Sequence, residues 1–549
     1  MLACGVADGS RSRALEVFWV PILLIHLAGQ DSITAYNIED NELWKRHVLT
    51  VISQVTVAIY VFCKSWSGEG RLLSAVIVLF IAGILKCIDK PMALKGASIY
   101  SLVSSSSPLK DEMAPSDDQV SSLEDYIREA KNCYAGIPSD HSISSDHDLL
   151  EKPYNLFVDL ASTYCHRLTC LQAFLRFDEI SAYHVLESGL CSTFIWLYTK
   201  RCMYFFAGIE FMDSIRDIFQ CLWISKKKIL YGLWTRLLAL VLTFASIDLF
   251  RKSHTVEGYN SSDVEDYVDQ HLCVEQCNSS LVIISLVTEL VKTGWKEYIQ
   301  CPSTYWMFND RRGQFTIQEE GWDQELYRTL EAPFDECVLV WHIATDICFY
   351  DGACASPDHR CQGGYQCAVA WCTQSRHHQI ATPCREISNY MFYLLALNPE
   401  MLMAGTRVSI VFAAREELEN MFRIEKLPPN ERDLTCEIYR KAQLPQDGTA
   451  KKAFIQTASK LASQLLAMDD EKRWRVIQGV WVEMLCFSAS RCRGYLHAKS
   501  LGVGGEFLSY VWLLLAHLGM ETVAERQQRS DFRRHTERGP SPSSLRTHN

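Results

Sequence analysis

The sequence predicts an all-α protein in which N-terminal transmembrane helices precede a helical C-terminal soluble domain. Three apolar runs follow one another within the first 85 residues, and the first contains FWVPILLIHLAGQ. The second half carries apolar residues at helical spacing, with hardly any of the period-two alternation typical of strands. The mean hydropathy of −0.04 is too low for a wholly embedded transporter and fits a few spans joined to a large soluble portion.

The first hundred residues hold the three apolar runs, at positions 14–29, 48–63 and 68–85. Each contains few or no charged side chains, although each is slightly shorter than the roughly 20 residues that cross a bilayer upright. Two alternatives stay open: a secretory signal for the first run, or three buried core helices in a soluble protein. Because the three runs lie close together, we expect residues 1–100 to form a group of membrane helices.

The middle of the chain begins with a change of composition at about Ser101, to Ser, Asp, Glu, Lys and Pro. This composition predicts a polar flexible linker over residues 101–150. Apolar periodicity then resumes and predicts a second membrane-associated helical part over 151–300. Its segment 229–250 is long and apolar enough to span a bilayer. The membrane-associated sequence is therefore expected in two parts.

The remainder of the chain has no run that would span a membrane convincingly. We predict a soluble helical domain over 301–525 and a disordered tail over 526–549, where the residues are polar and include Pro and Ser. Apolar spacing predicts helices in this domain at 335–350, 385–398, 452–467, 474–498 and 505–520.

Bulk charge and missing motifs argue against several functional classes. The net charge of −11 argues against a nucleic-acid binder, which needs a basic surface. The sequence contains no G-x-x-x-x-G-K-[ST], H-E-x-x-H or G-x-S-x-G motif. The densest set of cysteines and histidines, between Cys348 and Cys384, has no C-x-x-C pair that would set two zinc ligands. We therefore predict no metal site and no cofactor.

A cluster of polar residues at the end of the first apolar run is the candidate membrane site. Ionisable groups inside or at the rim of a span are costly, so they are functional candidates by default. The alternative is an interfacial turn whose charges stay in water, with Asp31 or Asn41 as helix caps. The cluster comprises His26, Gln30, Asp31, Glu42, Arg46 and His47.

Two further sets of residues are candidates for chemistry in the C-terminal half. His342 and Asp346 stand four residues apart on an apolar helix, as a base and its orienting partner would; a buried pair that fixes helix packing is the alternative. A C-terminal helical hairpin could hold an ionic network, with a solvated face or an interhelical bridge as the alternatives. Its glycines are interpreted as a turn between helices. The hairpin candidates are Glu483, Arg491, His497, Gly504, Gly505 and Glu506.

Two long blocks resemble a known family. The N-terminal block FWVPILLIHLAGQDSITAYNIEDNELWKRH, with KSW and ALKGASIYSL, resembles the plant membrane module called domain of unknown function 4220. The block WRVIQGVWVEMLCFSASRCRGYLHAKSLGVGGEFLSYVWLLLAHLGMETVAERQQR resembles its companion, domain of unknown function 594. The resemblance implies a plant protein with N-terminal transmembrane helices and a cytosolic helical C-terminal part, and it implies no activity. Compared with the family, the N-terminus looks truncated, and the stretches 202–226 and 351–383 look unlike it.

The leading functional hypothesis is a multi-span integral membrane protein that acts as a non-enzymatic scaffold. Its expected partners are the lipid bilayer and proteins bound through the C-terminal helical domain, with no nucleic acid. One alternative is a transporter or channel-like protein that uses the polar cluster near His26 and Asp31. The other is a membrane-bound enzyme of unknown class, built around His342 and Asp346 or around the hairpin.

Overall fold

The computed structural model describes residues 19–27, 34–66, 70–105, 122–136, 154–199, 278–321, 324–354, 377–422, 430–444 and 453–527, with residues 370, 372 and 375. Every regular element in these ranges is helical, which confirms the predicted all-α class. The chain divides into two compact units. Unit 1 comprises Met1–Met113, Cys191–Cys273 and Ala498–Gly505, and unit 2 comprises Ala114–Leu190, Val274–His497 and Glu506–Asn549.

The described α-helices are numbered in chain order. They are α1 (Trp19–Leu27), α2 (Trp44–Ser65), α3 (Gly70–Gly96), α4 (Ile99–Ser105), α5 (Leu123–Tyr134), α6 (Tyr154–Phe157), α7 (Tyr164–Phe174), α8 (Glu179–Tyr198), α9 (Asn278–Thr293), α10 (Pro302–Asn309), α11 (Gln314–Glu319), α12 (Gln324–Thr329), α13 (Phe334–Cys354), α14 (His378–Leu397), α15 (Pro399–Leu402), α16 (Ser409–Met421), α17 (Glu431–Ala442), α18 (Phe454–Leu466), α19 (Asp470–Arg491), α20 (Gly494–Leu501) and α21 (Phe507–His517). A 3-10 helix, Ile38–Leu43, leads into α2, and a π-helical turn, Gly294–Tyr298, follows α9.

Unit 1 contains a three-helix group in which α1, α2 and α3 pack against one another. Its core includes Leu24, Phe62, Phe80 and Cys87, one or more from each helix. The rings of Phe62 and Phe80 meet edge to face with centroids 5.1 Å apart, an arrangement that aromatic pairs prefer. The inner stripe of α2 follows the spacing Val51, Val55, Ala58 and Phe62, as expected for one helix face.

The membrane prediction is supported for one helix. The continuous helical stretch Ile38–Ser65 is long and apolar enough to cross a bilayer, and it is the one such helix in the part of the chain that the structure describes. The sequence predicted several spans. The described part of α1 has 9 residues, about 14 Å, and is too short to cross a hydrocarbon core of about 30 Å. The predicted span 229–250 lies outside the described residues.

The 3-10 helix is attached to the rest of unit 1 by the buried Asn41. The Asn41 Nδ2 group donates to the carbonyl oxygens of Ala97, at 3.3 Å, and Leu197, at 3.0 Å. The Tyr198 hydroxyl donates to the Ala498 carbonyl at 3.0 Å. Because buried polar groups need partners, these bonds determine how the segments assemble at the start of α2.

Unit 2 is built around α13, α14 and α19. Helix α13 packs against α14, α17 and α18, while α14 and α21 pack on α19. Trp341 and Trp481 are fully buried at this centre, and their indole groups have partners. The Trp481 Nε1 donates to Thr345 Oγ1 at 2.9 Å, and the Trp341 Nε1 donates to Thr329 Oγ1 at 3.1 Å. The tryptophans therefore supply large apolar area without leaving a buried donor unpaired.

The predicted linker over 101–150 contains an ordered helix, so it does not extend over α5. Ser122 caps this helix by accepting a hydrogen bond from the Asp125 N–H. Tyr126, Ile127 and Ala130 share one face and are buried. The many charged residues in this stretch suggested a linker, but in α5 they lie on the face opposite to the buried residues, so the helix is amphipathic. The remainder of the predicted linker, 106–121 and 137–150, lies outside the described residues, as does nearly all of the predicted tail.

The predicted helix at 474–498 is two helices, α19 and α20. The backbone of Cys492 is extended, with ψ 136°, which ends α19. Gly494 then approaches α6 so closely that a Cβ atom would overlap the Leu156 carbonyl oxygen. Residues of the predicted second membrane-associated part, in α6, α7 and α9, also belong to unit 2. These residues share a unit with the C-terminal domain, whereas the end of α8, from Cys191, belongs to unit 1.

Candidate functional site

The densest polar arrangement in unit 2 surrounds the chain just after α21. Five side chains from α5, α7, the π-helical turn and α10 donate hydrogen bonds to three successive carbonyl groups, those of Leu518, Gly519 and Met520. We call this arrangement the carbonyl cage. Its donors are Tyr126, Tyr134, Arg167, Trp295 and Tyr305.

The Gly519 carbonyl is the centre of the cage. It accepts from the hydroxyls of Tyr126 and Tyr305, each at 3.0 Å, and from Arg167 Nη2 at 3.1 Å. The Leu518 carbonyl accepts from Trp295 Nε1 at 3.1 Å. Carbonyls at a helix C-terminus lack partners within the helix and carry the negative end of its dipole. A guanidinium and several hydroxyls are therefore suitable donors at this position.

Arg167 is the charged member of the cage and is only 6% exposed. Its guanidinium lies 4.6 Å from the ring centroid of Tyr126 and donates to the Tyr305 hydroxyl at 2.9 Å. Burial alone would lower the pKa of Arg167, but Tyr126, Tyr305 and Glu525 hold that pKa well above its ordinary value. Burial also raises the pKa of Tyr126 to about 12. Arg167 is thus a permanent cation among neutral phenols, and its bonds fix the chain after α21.

A small cavity lies between α9, α11 and α19 in the same unit. Its volume is about 30 Å³, enough for one or two water molecules. Polar lining residues include Asn309, Arg311, Glu483 and Ser490, and the remaining walls are mostly apolar. The size suits bound water and excludes a substrate of metabolite size, so this cavity does not form an active-site cleft as it stands.

Glu483, a hairpin candidate, is buried and anchors the start of α11. Its Oε2 accepts from the N–H groups of Gly313, at 2.7 Å, and Phe315, at 3.2 Å. Its Oε1 accepts from the N–H and the hydroxyl of Thr316, at 2.6 and 2.7 Å. Burial raises the pKa of Glu483, and these four hydrogen bonds oppose that rise. The carboxylate therefore caps α11 and joins it to α19.

His342 and Asp346 each bond to α14. The His342 Nδ1 lies 3.0 Å from Ser388 Oγ, and the ring stacks on Phe392 with centroids 4.4 Å apart. The Asp346 Oδ1 accepts from Arg385 Nε at 3.0 Å. Burial lowers the pKa of His342, which favours its neutral form. This geometry is that of two side chains that fix the packing of α13 on α14.

The hairpin candidates Arg491 and His497 also take part in packing. Arg491 Nη2 donates to Asp310 Oδ1 at 2.9 Å, and its guanidinium lies 3.4 Å from the Phe487 ring centroid. The His497 Nδ1 lies 3.0 Å from Ser509 Oγ. Burial lowers the pKa of His497 to about 3.

The last three hairpin candidates lie between α20 and α21. Gly504 and Gly505 have φ values of +106° and +76°, and the Gly505 N–H donates to the Ser500 carbonyl at 2.8 Å. They form the turn that ends α20, in a conformation that favours glycine. Glu506, just before α21, accepts from Asn398 Nδ2 at 2.6 Å and from the Tyr390 hydroxyl at 3.2 Å.

The polar membrane cluster is divided in the structure. His26 is exposed on α1, and Gln30 and Asp31 lie outside the described residues. Glu42 Oε1 accepts from the Ile99 N–H at 2.8 Å, so it binds the first residue of α4. Arg46 and His47 lie in the first turn of α2. Glu42 is therefore a structural acceptor for the start of α4.

The structure describes the surroundings of three of the cysteines between positions 348 and 384. Cys348, Cys372 and Cys384 are buried, and burial raises the pKa of Cys384. Within the described ranges, no three His, Cys, Asp or Glu side chains are grouped so that they could hold a metal ion.

Comparison with protein families gives two matches. The model for the domain of unknown function DUF4220 matches residues 2–290 of the 549, and that for the protein of unknown function DUF594 matches residues 467–520. The chain belongs to the DUF4220 family. The resemblance seen in the sequence, with the two domains in this order, is confirmed. No curated protein and no solved structure matches the chain.

The carbonyl cage joins the two matched segments of this DUF4220 protein. Tyr126 and Arg167 lie within the DUF4220 match, and Leu518, Gly519 and Met520 lie within the DUF594 match. The sequence interpretation missed the cage. The available signal was Arg167 itself, an arginine that shares the short α7 sequence YCHRLTCLQAF with no acidic residue. Its partners are distant carbonyls, for which no side-chain pattern exists.

Proposed function

We propose that this DUF4220 protein is a multi-span integral membrane protein whose helical unit 2 is a scaffold for partner proteins. The observation that carries the proposal is the character of α2. This helix has 22 residues, about 33 Å, and matches a hydrocarbon core of about 30 Å. Trp44 and Trp66 flank it, with Lys45 and Arg46 near one end and Lys64 near the other. Tryptophan and basic residues together at both ends of an apolar helix are typical of membrane–water interfaces.

The outer face of α2 supports the same proposal. Leu49, Ile52, Val57 and Tyr60 are 69%, 56%, 59% and 62% exposed. A contiguous apolar surface of this kind is rare on a protein in water and is expected on a helix in lipid. The Thr56 hydroxyl donates to the Ile52 carbonyl at 2.7 Å, so it needs no water partner.

Helix α3 supports more than one span. It has 27 residues, about 40 Å, and its sequence is uncharged from position 72 to 85. It packs against both α1 and α2. Its uncharged stretch is about 21 Å long, shorter than a hydrocarbon core of about 30 Å, so the proposal of a second span rests on the full length of α3 and on its packing against α2.

The scaffold role of unit 2 rests on how its polar groups are used. Glu483, His342 and Asp346 all bond to neighbouring helices, so they stabilise packing. Large apolar side chains that remain exposed on unit 2 include Leu397, at 70%, and Phe412, at 65%. Exposed apolar side chains are the groups that protein partners commonly bury.

Membrane integration is tested by alkaline carbonate extraction of the full chain. We expect the wild type to stay in the pellet, and an Ile52→Glu/Val57→Glu variant to be extracted at least in part, since each acidic residue near a span centre costs roughly 2.5–3.5 kcal/mol. Leu397→Glu/Phe412→Glu, with the same added charge on unit 2, is the matched control and should stay in the pellet. Complete extraction of the wild type would refute the membrane assignment. Glycosylation at the acceptor sites Asn260 and Asn278 reports which segments are luminal.

Partner binding is tested with the wild type and the Leu397→Glu/Phe412→Glu variant. Chemical cross-linking in native membranes, followed by mass spectrometry, should give reproducible partners with the wild type. Leu397→Glu/Phe412→Glu should lose them while it keeps its helical circular dichroism. A cross-linking pattern that is identical in the wild type and this variant would show that these side chains do not form the scaffold surface.

A further inference from the structure

One end of unit 1 concentrates basic side chains where α2 begins and α3 ends. Lys45 and Arg46 lie in the first turn of α2, and Lys95 lies in the last turn of α3; all three are exposed. The Nζ atoms of Lys45 and Lys95 lie 5.6 and 5.7 Å from the Trp44 ring centroid. Lys90, half-buried on α3, interacts electrostatically with His47. We call Lys45, Arg46, Lys90 and Lys95 the basic end.

Three acidic residues near the basic end, Glu39, Asp40 and Glu42, have other partners, and a fourth, Asp89, adjoins Lys90 on α3. Asp40 Oδ2 accepts from the N–H groups of Tyr36 and Asn37, each at 3.2 Å. Glu42 accepts from the Ile99 N–H, and Glu39 pairs with Lys499 at 3.0 Å. Within the described ranges, no carboxylate lies within ion-pair distance of the four cations of the basic end. Their charge is therefore available to an external anion.

Exposed apolar side chains adjoin the basic end. Leu43 and Leu49 are 44% and 69% exposed at the start of α2, and Ile88 and Met92 are each 42% exposed near the end of α3. Basic side chains beside an apolar surface, with a tryptophan between them, are the composition of a membrane interface. An anion that binds here would lie at headgroup depth.

We propose that the basic end binds the headgroups of anionic phospholipids. The proposal rests on the membrane location of α2 and α3 proposed above. Phosphate groups at the membrane surface are the anions nearest to these cations, and each basic residue near such a surface strengthens binding several-fold. The other end of the same helix pair carries two basic residues in its sequence, Lys64 and Arg71, against the four of the basic end.

The test uses the full-length protein in bilayers of phosphatidylcholine with a minor fraction of phosphatidylserine. Spin-labelled lipids of each type report the preference of the protein for the anionic headgroup. We expect a preference in the wild type that falls by up to about fivefold for each charge removed in Lys45→Gln/Lys95→Gln at low ionic strength. Lys45→Arg/Lys95→Arg should retain it. Lys64→Gln/Arg71→Gln, which removes two charges at the other end, is the matched control.

Three outcomes would overturn the proposal. The wild type would show no preference for phosphatidylserine, or the control variant would lose as much preference as Lys45→Gln/Lys95→Gln. In the third, inorganic phosphate would abolish the preference when a chloride salt of equal ionic strength does not, which would indicate a site for free phosphate. Carbonate extraction of the same samples separates the two proposals. A wild type that fails to integrate contradicts the membrane assignment, whereas integration without lipid preference contradicts only the basic end.

Discussion

Replacing Gly519 by alanine should weaken the carbonyl cage measurably. Gly519 has a φ of +81°, a region that L-residues with a side chain rarely adopt. A Cβ atom there would lie 2.6 Å from the Tyr126 hydroxyl oxygen and 3.4 Å from Trp295 Cζ2. The first distance is too short for a carbon–oxygen contact. Tyr126 must therefore move, and its hydroxyl would lose the bond to the Gly519 carbonyl.

The magnitude follows from these two effects. Alanine in the left-handed region costs about 1 kcal/mol relative to glycine. Loss of the buried Tyr126 hydrogen bond adds roughly 1–3 kcal/mol, because the hydroxyl and the carbonyl are both shielded from water. We expect a destabilisation of about 2–4 kcal/mol around α21. Gly405 is the matched control, since its φ is +87° and nothing lies within 4 Å of its Cβ position. Gly405→Ala should therefore lower the stability only by the cost of alanine in the left-handed region, about 1 kcal/mol.

Hydrogen exchange of the full-length protein, read by mass spectrometry, measures this loss locally. Peptides from α21 should exchange roughly 30- to 1,000-fold faster in Gly519→Ala if exchange reports the opening equilibrium. The double variant Gly519→Ala/Tyr126→Phe should cost less than the two single variants together, because phenylalanine lacks the hydroxyl that the new Cβ meets. Equal effects of Gly519→Ala and Gly405→Ala would refute the described packing of the cage.

Three further predictions concern other buried polar groups. Glu483→Gln should lower the free energy of unfolding by about 2–4 kcal/mol in urea titrations, because an NH2 group, which donates, replaces an oxygen that accepts two hydrogen bonds. Thr316→Val, which removes one of the four donors, should lower it by about 1 kcal/mol, and equal losses would contradict the capping role. The pKa values of His497 and His517 are about 3 in the folded chain, against 6.5 in the reference state, so the unfolded chain binds protons first as the pH falls. Stability should hold above pH 6.5 and fall between about 6.5 and 3, by about 1.4 kcal/mol per pH unit for each histidine, and His517→Phe should reduce that slope. Asn41→Ala should raise the exchange rate of the 3-10 helix several-fold through loss of its two hydrogen bonds, and an unchanged rate would contradict its role.

Helix positions were largely predictable from apolar spacing. The predicted segment 452–467 corresponds to α18, Phe454–Leu466, and the segment 335–350 corresponds to α13, Phe334–Cys354. Helix α18 buries one stripe, so its periodicity is strong, whereas α13 buries most of its surface and was recognisable by its apolar composition. The division of 474–498 was not predictable, because it depends on the contact of Gly494 with Leu156, far away in sequence.

The polar contacts were less predictable than the helices. Spacing alone set His342 and Asp346 on one face of a helix, but Ser388 and Arg385 on α14 determine what they bind. A sequence pattern records which side chains share a face and says nothing about the opposing helix. Arg167 shows the same limit, since its acceptors are backbone carbonyls that any residue could provide.

The carbonyl cage also sets an order of events during synthesis. The Tyr126 hydroxyl bonds to a carbonyl 393 positions further along the chain. While the ribosome adds those residues, the cationic Arg167 and its neighbouring phenols lack their native carbonyl acceptors. Such a long delay favours either solvent exposure of this surface or temporary cover by a chaperone. A nascent chain stalled before Leu518 should therefore remain open to proteases at α5 and α7 until the residues after α21, Leu518 to Met520, are added.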